Sequence, residues 1–298
     1  MATKTLLLES ALAIALMLSL PASAQYGGFA GGLAEGLQRG MQLMNQARYL
    51  ELQEKAAERQ RKAEEREDEL SRLDQINRAK TALKAGAYST ALEGFRVLAE
   101  RGDSIAQAYL GDMHYIGQGV AQDYAQAARW YRKAAEQGYA IAQYHLGSMY
   151  AMAEGFTKDD VQAAQWFRKA ADQGYAEAQF QLGVTYGLGK GVPHDLELCL
   201  QWLHRAADQG YVEAQYGLGV LYSNHEGIRP DNAQAARWYR RAADQGHPKA
   251  QYSLGLMYAQ GSGVPFDMTQ ALQWLVKAGE QGDAKALSVL EKMAELPQ

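Results

Sequence analysis

One cysteine, Cys199, is present in 298 residues, so no internal disulfide supports this fold even in an oxidising compartment. Neither sign of charge is in excess. The formal net charge is −4 and no basic stripe is evident, which argues against nucleic acid as the main partner. The apolar run at 11–20 falls well short of the ~20 residues that a membrane span needs. Familiar signatures of catalysis and metal binding are missing as well: no HExxH, no CxxC and no GxxxxGK[ST] occurs, and the six histidines do not cluster. What remains is a chain with 47% hydrophobic residues, enough to bury an extended core.

What the chain has in abundance is repetition. Five stretches of 36 residues follow one another without insertion or deletion, at 104–139, 140–175, 176–211, 212–247 and 248–283. A fixed period of that length is the signature of a stacked repeat protein. With the positions of each copy numbered as slots, slots 3, 4, 7 and 8 read Ala, Gln, Leu and Gly throughout, as in Ala142, Gln143, Leu146 and Gly147. Slot 11 is tyrosine except in the first copy, where it is His114. These slots share one arc of a 3.6-residue helix, the buried side of a first helix. A mid-helix glycine costs about 1 kcal/mol against alanine, so its recurrence at slot 8 implies close approach of another backbone.

Slot 16 is glycine in every copy (Gly119, Gly155, Gly191, Gly227, Gly263), which suits a left-handed helix stop or turn. Slot 20 is always aspartate (Asp123, Asp159, Asp195, Asp231, Asp267), with glutamine three residues on in four copies. That pattern reads as an N-cap with a capping-box-like partner, opening a second helix. Apolar positions there are spaced as in Ala163, Trp166, Phe167, Ala170 and Ala171, and all five tryptophans share one slot. The helix ends at Gln-Gly, slot 36 can cap the next first helix, and Pro248 suits an opening turn. One such hairpin buries too little to offset the entropy of ordering it, so neighbours must stack into an all-α solenoid.

The pattern A-x-A-Q-Y-x-L-G-x-M-Y, then G-x-G-V, then A-x-x-W-Y-R-K-A-A-x-Q-G, resembles the Sel1-like repeat, a relative of the tetratricopeptide repeat. The resemblance covers 104–283 fully and, with partial units, about 72–294. It implies a right-handed α-solenoid of stacked antiparallel helix hairpins, whose first helices line a concave surface. For function it implies assembly of protein complexes, cell-envelope and exopolysaccharide processes, or host interaction, without choosing among them.

Residues 1–24 read as a secretory signal peptide: Lys4, the apolar run, then Ala22-Ser23-Ala24 before Gln25, with cleavage after Ala24. The competing reading is an uncleaved anchor. A periplasmic location follows from the first. Residues 25–48 are Gly-rich, with Gly28, Gly32, Gly36 and Gly40 spaced by four. They read as a linker or, if helical, as a small-residue surface for self-association or membrane contact. Residues 49–71 read as a charged exposed helix carrying Glu51/Lys55 and Glu58/Lys62 pairs, with too few apolar positions for a coiled-coil seam. Residues 72–103 read as an N-terminal capping hairpin, keeping Ala91, Phe95 and Ala99 in register. Residues 284–298 supply a closing helix and tail with Ala286 and Leu290 at core slots.

Candidate chemistry is thin. Cys199 lies near His204, which invites a thiol nucleophile, yet it occupies the slot of Ala127, Ala163, Ala235 and Ala271, a small packing position. His204 takes the slot of Arg132, Arg168 and Arg240, expected to be exposed. His114 replaces a core tyrosine, His145 lies on the variable face, and His194 and His225 fall in loops. The slot-20 aspartates are caps rather than a carboxylate array. No catalytic residue, cofactor or metal is therefore assigned.

Variation between copies marks a binding face. Slots 2, 6, 9 and 13 fall opposite the core arc, with slot 5 at its edge. The groove assigned on this basis comprises Tyr109, Asp112, Tyr144, His145, Ser148, Phe180, Gln181, Val184, Tyr216, Val220, Tyr252 and Ser253. A competing account makes these unconstrained solvent positions and the slot-5 aromatics inter-repeat packing. The expectation is a non-enzymatic periplasmic scaffold or adaptor holding a protein or peptide partner, with no nucleic acid and with membrane contact confined to 25–50. Two rivals stand beside it. One is a β-lactamase-like, penicillin-binding enzyme of a cysteine-rich branch, whose paired cysteines this chain lacks. The other is an oligomerising envelope protein that acts through its N-terminal helix.

Overall fold

The computed structural model describes residues 27–224 and 226–294. The segment read as a signal peptide with its expected cleavage site, His225 and residues 295–298 lie outside them. Among the described residues there are thirteen helices and no strand. The chain divides into two compact units, 1–71 and 72–298.

The first unit holds most of one helix, Gly27–Lys84. The Gly-rich segment is helical from Gly27 onward: Ala34, Glu35 and Leu37 stand between its later glycines, and propagation from the charged stretch is cooperative. Nothing lies within 4 Å of where a Cβ would stand on Gly32, Gly36 or Gly40. Residues 41–71 are all exposed. Ion pairs one turn apart run along them, Lys55–Glu51 at 2.5 Å and Lys62–Glu58 at 2.6 Å.

The second unit is a right-handed α-solenoid of antiparallel hairpins. Its cap pairs the end of the long helix with Tyr88–Glu100, burying Ile76, Ala79, Ala91, Phe95 and Ala99. Arg72 forms an ion pair with Asp103 there. First helices follow at Ser104–Ile116, Ala140–Met152, Ala176–Leu188, Val212–Asn224 and Pro248–Gln260. Second helices run at Tyr124–Glu136, Asp160–Asp172, Leu196–Asp208, Asn232–Asp244 and Met268–Glu280, and Ala284–Ala294 closes the stack. Each second helix packs on its own first helix and on the next one.

A buried glutamine holds each boundary. Gln143 donates to the Ala135 carbonyl of the preceding repeat at 3.0 Å and accepts from Gln173 of its own repeat at 2.7 Å. Gln107, Gln179, Gln215 and Gln251 do the same, each 4–5% exposed. Slot 8 is glycine chiefly because a side chain approaches: a Cβ on Gly111 would stand 2.6 Å from the Tyr131 ring. The expectation of a backbone neighbour is met only second, by carbonyls such as that of Ala163 at 3.2 Å from Gly147.

Caps follow the aspartates. Asp159 accepts from the Gln162 N–H at 2.9 Å, and the other four act alike. The capping box is not reciprocal, because the Asp159 N–H is already spent on the Tyr150 carbonyl at 3.0 Å, closing the loop. The helix stop also sits earlier than expected. Slot 14 takes the left-handed conformation (Gly117, Ala153, Gly189, Gly261), while the slot-16 glycines turn the loop two residues later.

Ala153 is the only non-glycine with positive φ among the described residues, at 62°. Ala153→Gly should raise the unfolding free energy by about 1 kcal/mol, and a urea titration showing no gain would refute that strain. Gln143→Leu removes two hydrogen bonds at the boundary, leaving the Ala135 carbonyl with the Gly138 N–H and the Gln173 amide with the Lys169 carbonyl, and should lower stability by about 2 kcal/mol in the same titration.

Candidate functional site: clefts between successive first helices

The first helices of repeats 1 and 2 leave between them a cavity of about 310 Å³. Tyr131, reaching across from the second helix of repeat 1, forms part of its wall. Asp112, Tyr144, His145 and Ser148 come together here with Tyr115, Ile116, Met149, Met152 and Glu154. A smaller cavity of about 120 Å³ lies between repeats 2 and 3, bringing Ser148, Gln181 and Val184 beside Phe167, Met152, Leu188 and Lys190.

Two tyrosine–carboxylate pairs shape the first cleft. The Tyr131 hydroxyl donates to Asp112 Oδ1 at 2.6 Å, and the Tyr115 hydroxyl donates to Glu154 Oε2 at 2.7 Å. Burial raises both phenols, with the neighbouring carboxylates adding to it; Tyr115 is pushed up to about 12. Both are therefore protonated donors at neutral pH. The His145 ring stacks on Tyr131 at 5.0 Å, with Nε2 3.9 Å from Asp112. Burial pushes its imidazole below the usual histidine value, and pushes the Asp112 carboxyl above the usual carboxylate value. The cleft thus carries two carboxyl groups and no lysine or arginine among the described residues lining it.

The remaining assigned residues are not gathered into these clefts. Tyr109 stacks on Phe95 at 4.6 Å, at the N-terminal end. The slot-5 aromatics clamp the slot-36 residue that opens the next repeat: Tyr144 on Tyr175 at 5.4 Å, Phe180 on Tyr211 at 5.4 Å, Tyr216 on His247 at 4.5 Å. Tyr252 packs in the closing core with Leu275 and Ala278. Ser253 is half-buried near Tyr239, and Val220 is exposed. Inter-repeat packing is therefore the main work of the aromatic row. Of the face described from sequence as opposite the core, slots 6 and 9 are, Val220 apart, half-buried, while slot 13 is exposed in every repeat.

Three residues of slot 13, a slot counted on the variable face but left out of the assigned groove, stand on the rims. Ile116, Met152 and Leu188 fill slot 13 and are 59%, 65% and 59% exposed. In repeats 4 and 5 the same slot is Asn224 and Gln260. A large apolar residue at a solvent slot was the signal available.

Elsewhere the chemistry is quiet. Cys199 is buried, its thiol pushed up to about 11 by desolvation, with Sγ packed against Gly187. His204 is half-buried rather than exposed: it meets the Tyr222 hydroxyl at 3.0 Å and the edge of Trp238, because the next repeat folds over it. Among the described residues no group of three His, Cys, Asp or Glu could hold a metal ion.

The sequence model of the Sel1 repeat matches residues 104–139, 140–175, 176–211, 212–247 and 248–283, the five copies seen in the helices. The chain belongs to the Sel1 repeat family. Its solenoid is similar to the crystal structure of a Sel1 repeat protein from Oxalobacter formigenes, with a TM-score of 0.67 and 34% identity over 73% of this chain and 86% of that one. It is similar also to c5321, a protective antigen present in uropathogenic Escherichia coli strains, with a TM-score of 0.65 and 33% identity over 74% of this chain. It spans about half of that second protein, 49%. A search of curated protein sequences found no match.

Acid should loosen the first cleft. The unfolded histidine protonates near pH ~6.5 while the folded ring resists. The unfolded state therefore binds more protons as pH falls through that value, and stability drops until the folded ring protonates too. Asp112 acts with the opposite sign at lower pH, since its raised folded value makes acidification favour the folded state. Replacing His145 by Gln should flatten the stability loss between pH ~7.5 and ~5. His114 and His204, also lowered by burial, keep part of the slope. An unchanged slope would acquit His145.

Proposed function

We propose that this chain is a periplasmic scaffold that holds an extended segment of a partner protein along the first helices of repeats 1–3. Solenoids of the Sel1 repeat family generally mediate protein–protein interaction and are typically non-enzymatic. The observation that carries the finer reading is the row Ile116, Met152 and Leu188, exposed apolar side chains one repeat apart that give way to Asn224 and Gln260. An apolar row of that kind, rimming clefts whose walls mix apolar and polar groups, is how a protein surface takes up a segment of chain. The first cleft adds chemistry. Asp112 and Glu154 beside Met149, Met152 and Ile116 suit a lysine or arginine whose stem lies on the apolar wall.

The periplasmic part rests on residues 1–24 alone. Among the described residues no helix is long and apolar enough to cross a membrane. The rival enzyme reading draws no support from Cys199, single and buried where the cysteine-rich branch has pairs.

A photo-crosslinking residue placed at Met152 or Leu188 in the native host should give one shared adduct, absent when it is placed at Gln165 on the second-helix face. A synthetic peptide of the crosslinked segment should then bind the full chain, and Asp112→Asn with Glu154→Gln should weaken binding about tenfold with helicity unchanged. Equal adducts from Gln165 would place the partner elsewhere. A chain retained in the cytoplasm with residues 1–24 intact would refute the export reading, and a periplasmic chain with an N-terminus other than Gln25 would move the cleavage site.

A further inference from the structure

The largest of the clefts described lies on the other set of helices. It measures about 610 Å³ and is lined by Arg237, Arg240 and Arg241 with Trp238, Asp244 and Val264. Two of the three guanidinium groups are held on aromatic faces, Arg241 over Trp238 at 4.5 Å and Arg240 over Tyr258 at 5.3 Å. Stacking fixes the plane of a guanidinium and leaves its N–H edges available for carboxylates. Arg241 also meets Asp208 at 3.5 Å, an exposed pair, and Asp244 is the one carboxylate among the lining residues.

The fold does not require this charge. A cation over the tryptophan recurs in every repeat, as Lys133, Lys169, Arg205, Arg241 and Lys277. The position of Arg237, however, is Gln165, Gln201 and Gln273 in repeats 2, 3 and 5, and that of Arg240 is His204 and Val276 in repeats 3 and 5. Repeat 1 has Arg129, Arg132 and Lys133, but there Arg132 donates to the Tyr150 hydroxyl at 2.7 Å. Three arginines together occur in repeat 4 alone.

A second feature is left over from the fold. Residues 53–69 form an exposed helical stretch that carries no large apolar residue. Most helices owe their stability to packing, and one that is polar all round leans on its own ion pairs or on a partner. Its cations Arg61 and Lys62 already face Glu65 and Glu58 within the helix. Close by stand Glu64, Glu67 and Asp68, at offsets 0, 3 and 4, on one exposed side. Arg237, Arg240 and Arg241 have the same offsets 0, 3 and 4 on their own helix. The two triplets match in spacing and oppose in sign.

We infer that the arginine cleft of repeat 4 receives the Glu64–Glu67–Asp68 side of the long helix of a second copy of this chain. Such a contact joins two different patches, so copies add head to flank and either close a ring or continue. It leaves the first-helix face free, and an assembly of copies would present several grooves at once to a partner. The inference does not depend on what the groove binds.

Sedimentation of the full chain as recovered from cells tests it. At ~50 mM salt the mass should exceed that of a monomer, and at ~500 mM the association should weaken as the charges are screened. Reversing the cleft (Arg237→Glu, Arg240→Glu, Arg241→Glu) or the helix (Glu64→Lys, Glu67→Lys, Asp68→Lys) should raise the apparent Kd at least about tenfold. The chain bearing all six changes should associate again. A second readout is independent of those folds: mixing an Asp68→Cys chain with an Arg241→Cys chain should give a disulfide-linked pair containing one of each. A monomeric mass at low salt, association indifferent to both reversals, failure of the six-fold variant to recover, or no mixed disulfide would each overturn the inference.

Discussion

The amide of a buried glutamine is the constraint on which this solenoid depends. Gln107, Gln143, Gln179, Gln215 and Gln251 each tie a first helix to a carbonyl of the preceding repeat and to a glutamine at the end of their own. A buried amide left unpaired costs more than a made bond returns, so the geometry tolerates little slippage between hairpins. That fixes the angle at which one repeat sits on the next. Apolar slots alone would allow neighbouring registers, because leucine and alanine surfaces are not directional.

Around that tie the aromatics act as clamps. The slot-5 rings of repeats 2, 3 and 4 meet the slot-36 residue that opens the following repeat, and each slot-28 residue fills the space a glycine leaves at slot 8. The first repeat departs from this. It has Ala108 at slot 5, and its aspartate at slot 9 is bonded instead by Tyr131. Here the cleft opens to its larger volume with two carboxylates, whereas between repeats 2 and 3 it narrows and carries one of each sign, Asp160 and Lys190. Differences in cleft chemistry along the face thus come from small local exchanges on an unchanged frame.

Because first and second helices present separate surfaces, one chain can carry two kinds of recognition without conflict. The apolar row of repeats 1–3 and the arginines of repeat 4 lie on different helices and in different repeats. Charge sets them apart as well: the first cleft has carboxylates and no lysine or arginine among its described lining, and the arginine cleft has an excess of guanidinium groups. Complementary charge selects partners and speeds encounter more than it adds affinity.

What could be read in the residues was what repeats locally. The 36-residue period, the aspartate caps and the tryptophan slot located the five repeat hairpins, since caps and helical periodicity act within a few residues. The same comparison put Asp112, His145, Ser148, Gln181 and Val184 on the face where the clefts lie. It left Tyr144, Phe180 and Tyr216 undecided between ligand and packing, because their partners Tyr175, Tyr211 and His247 belong to the next boundary. It missed the left-handed stop at slot 14, where Ala153 and glycines alternate, and the burial of His204 beneath the following repeat. The sequence by itself determined the hairpins and which slots may vary, because those follow from contacts near in the chain. The tertiary structure alone decided which varied residues face a cleft and which hold two repeats together, since that depends on the angle between hairpins, and the angle is set by bonds that cross from one repeat to the next.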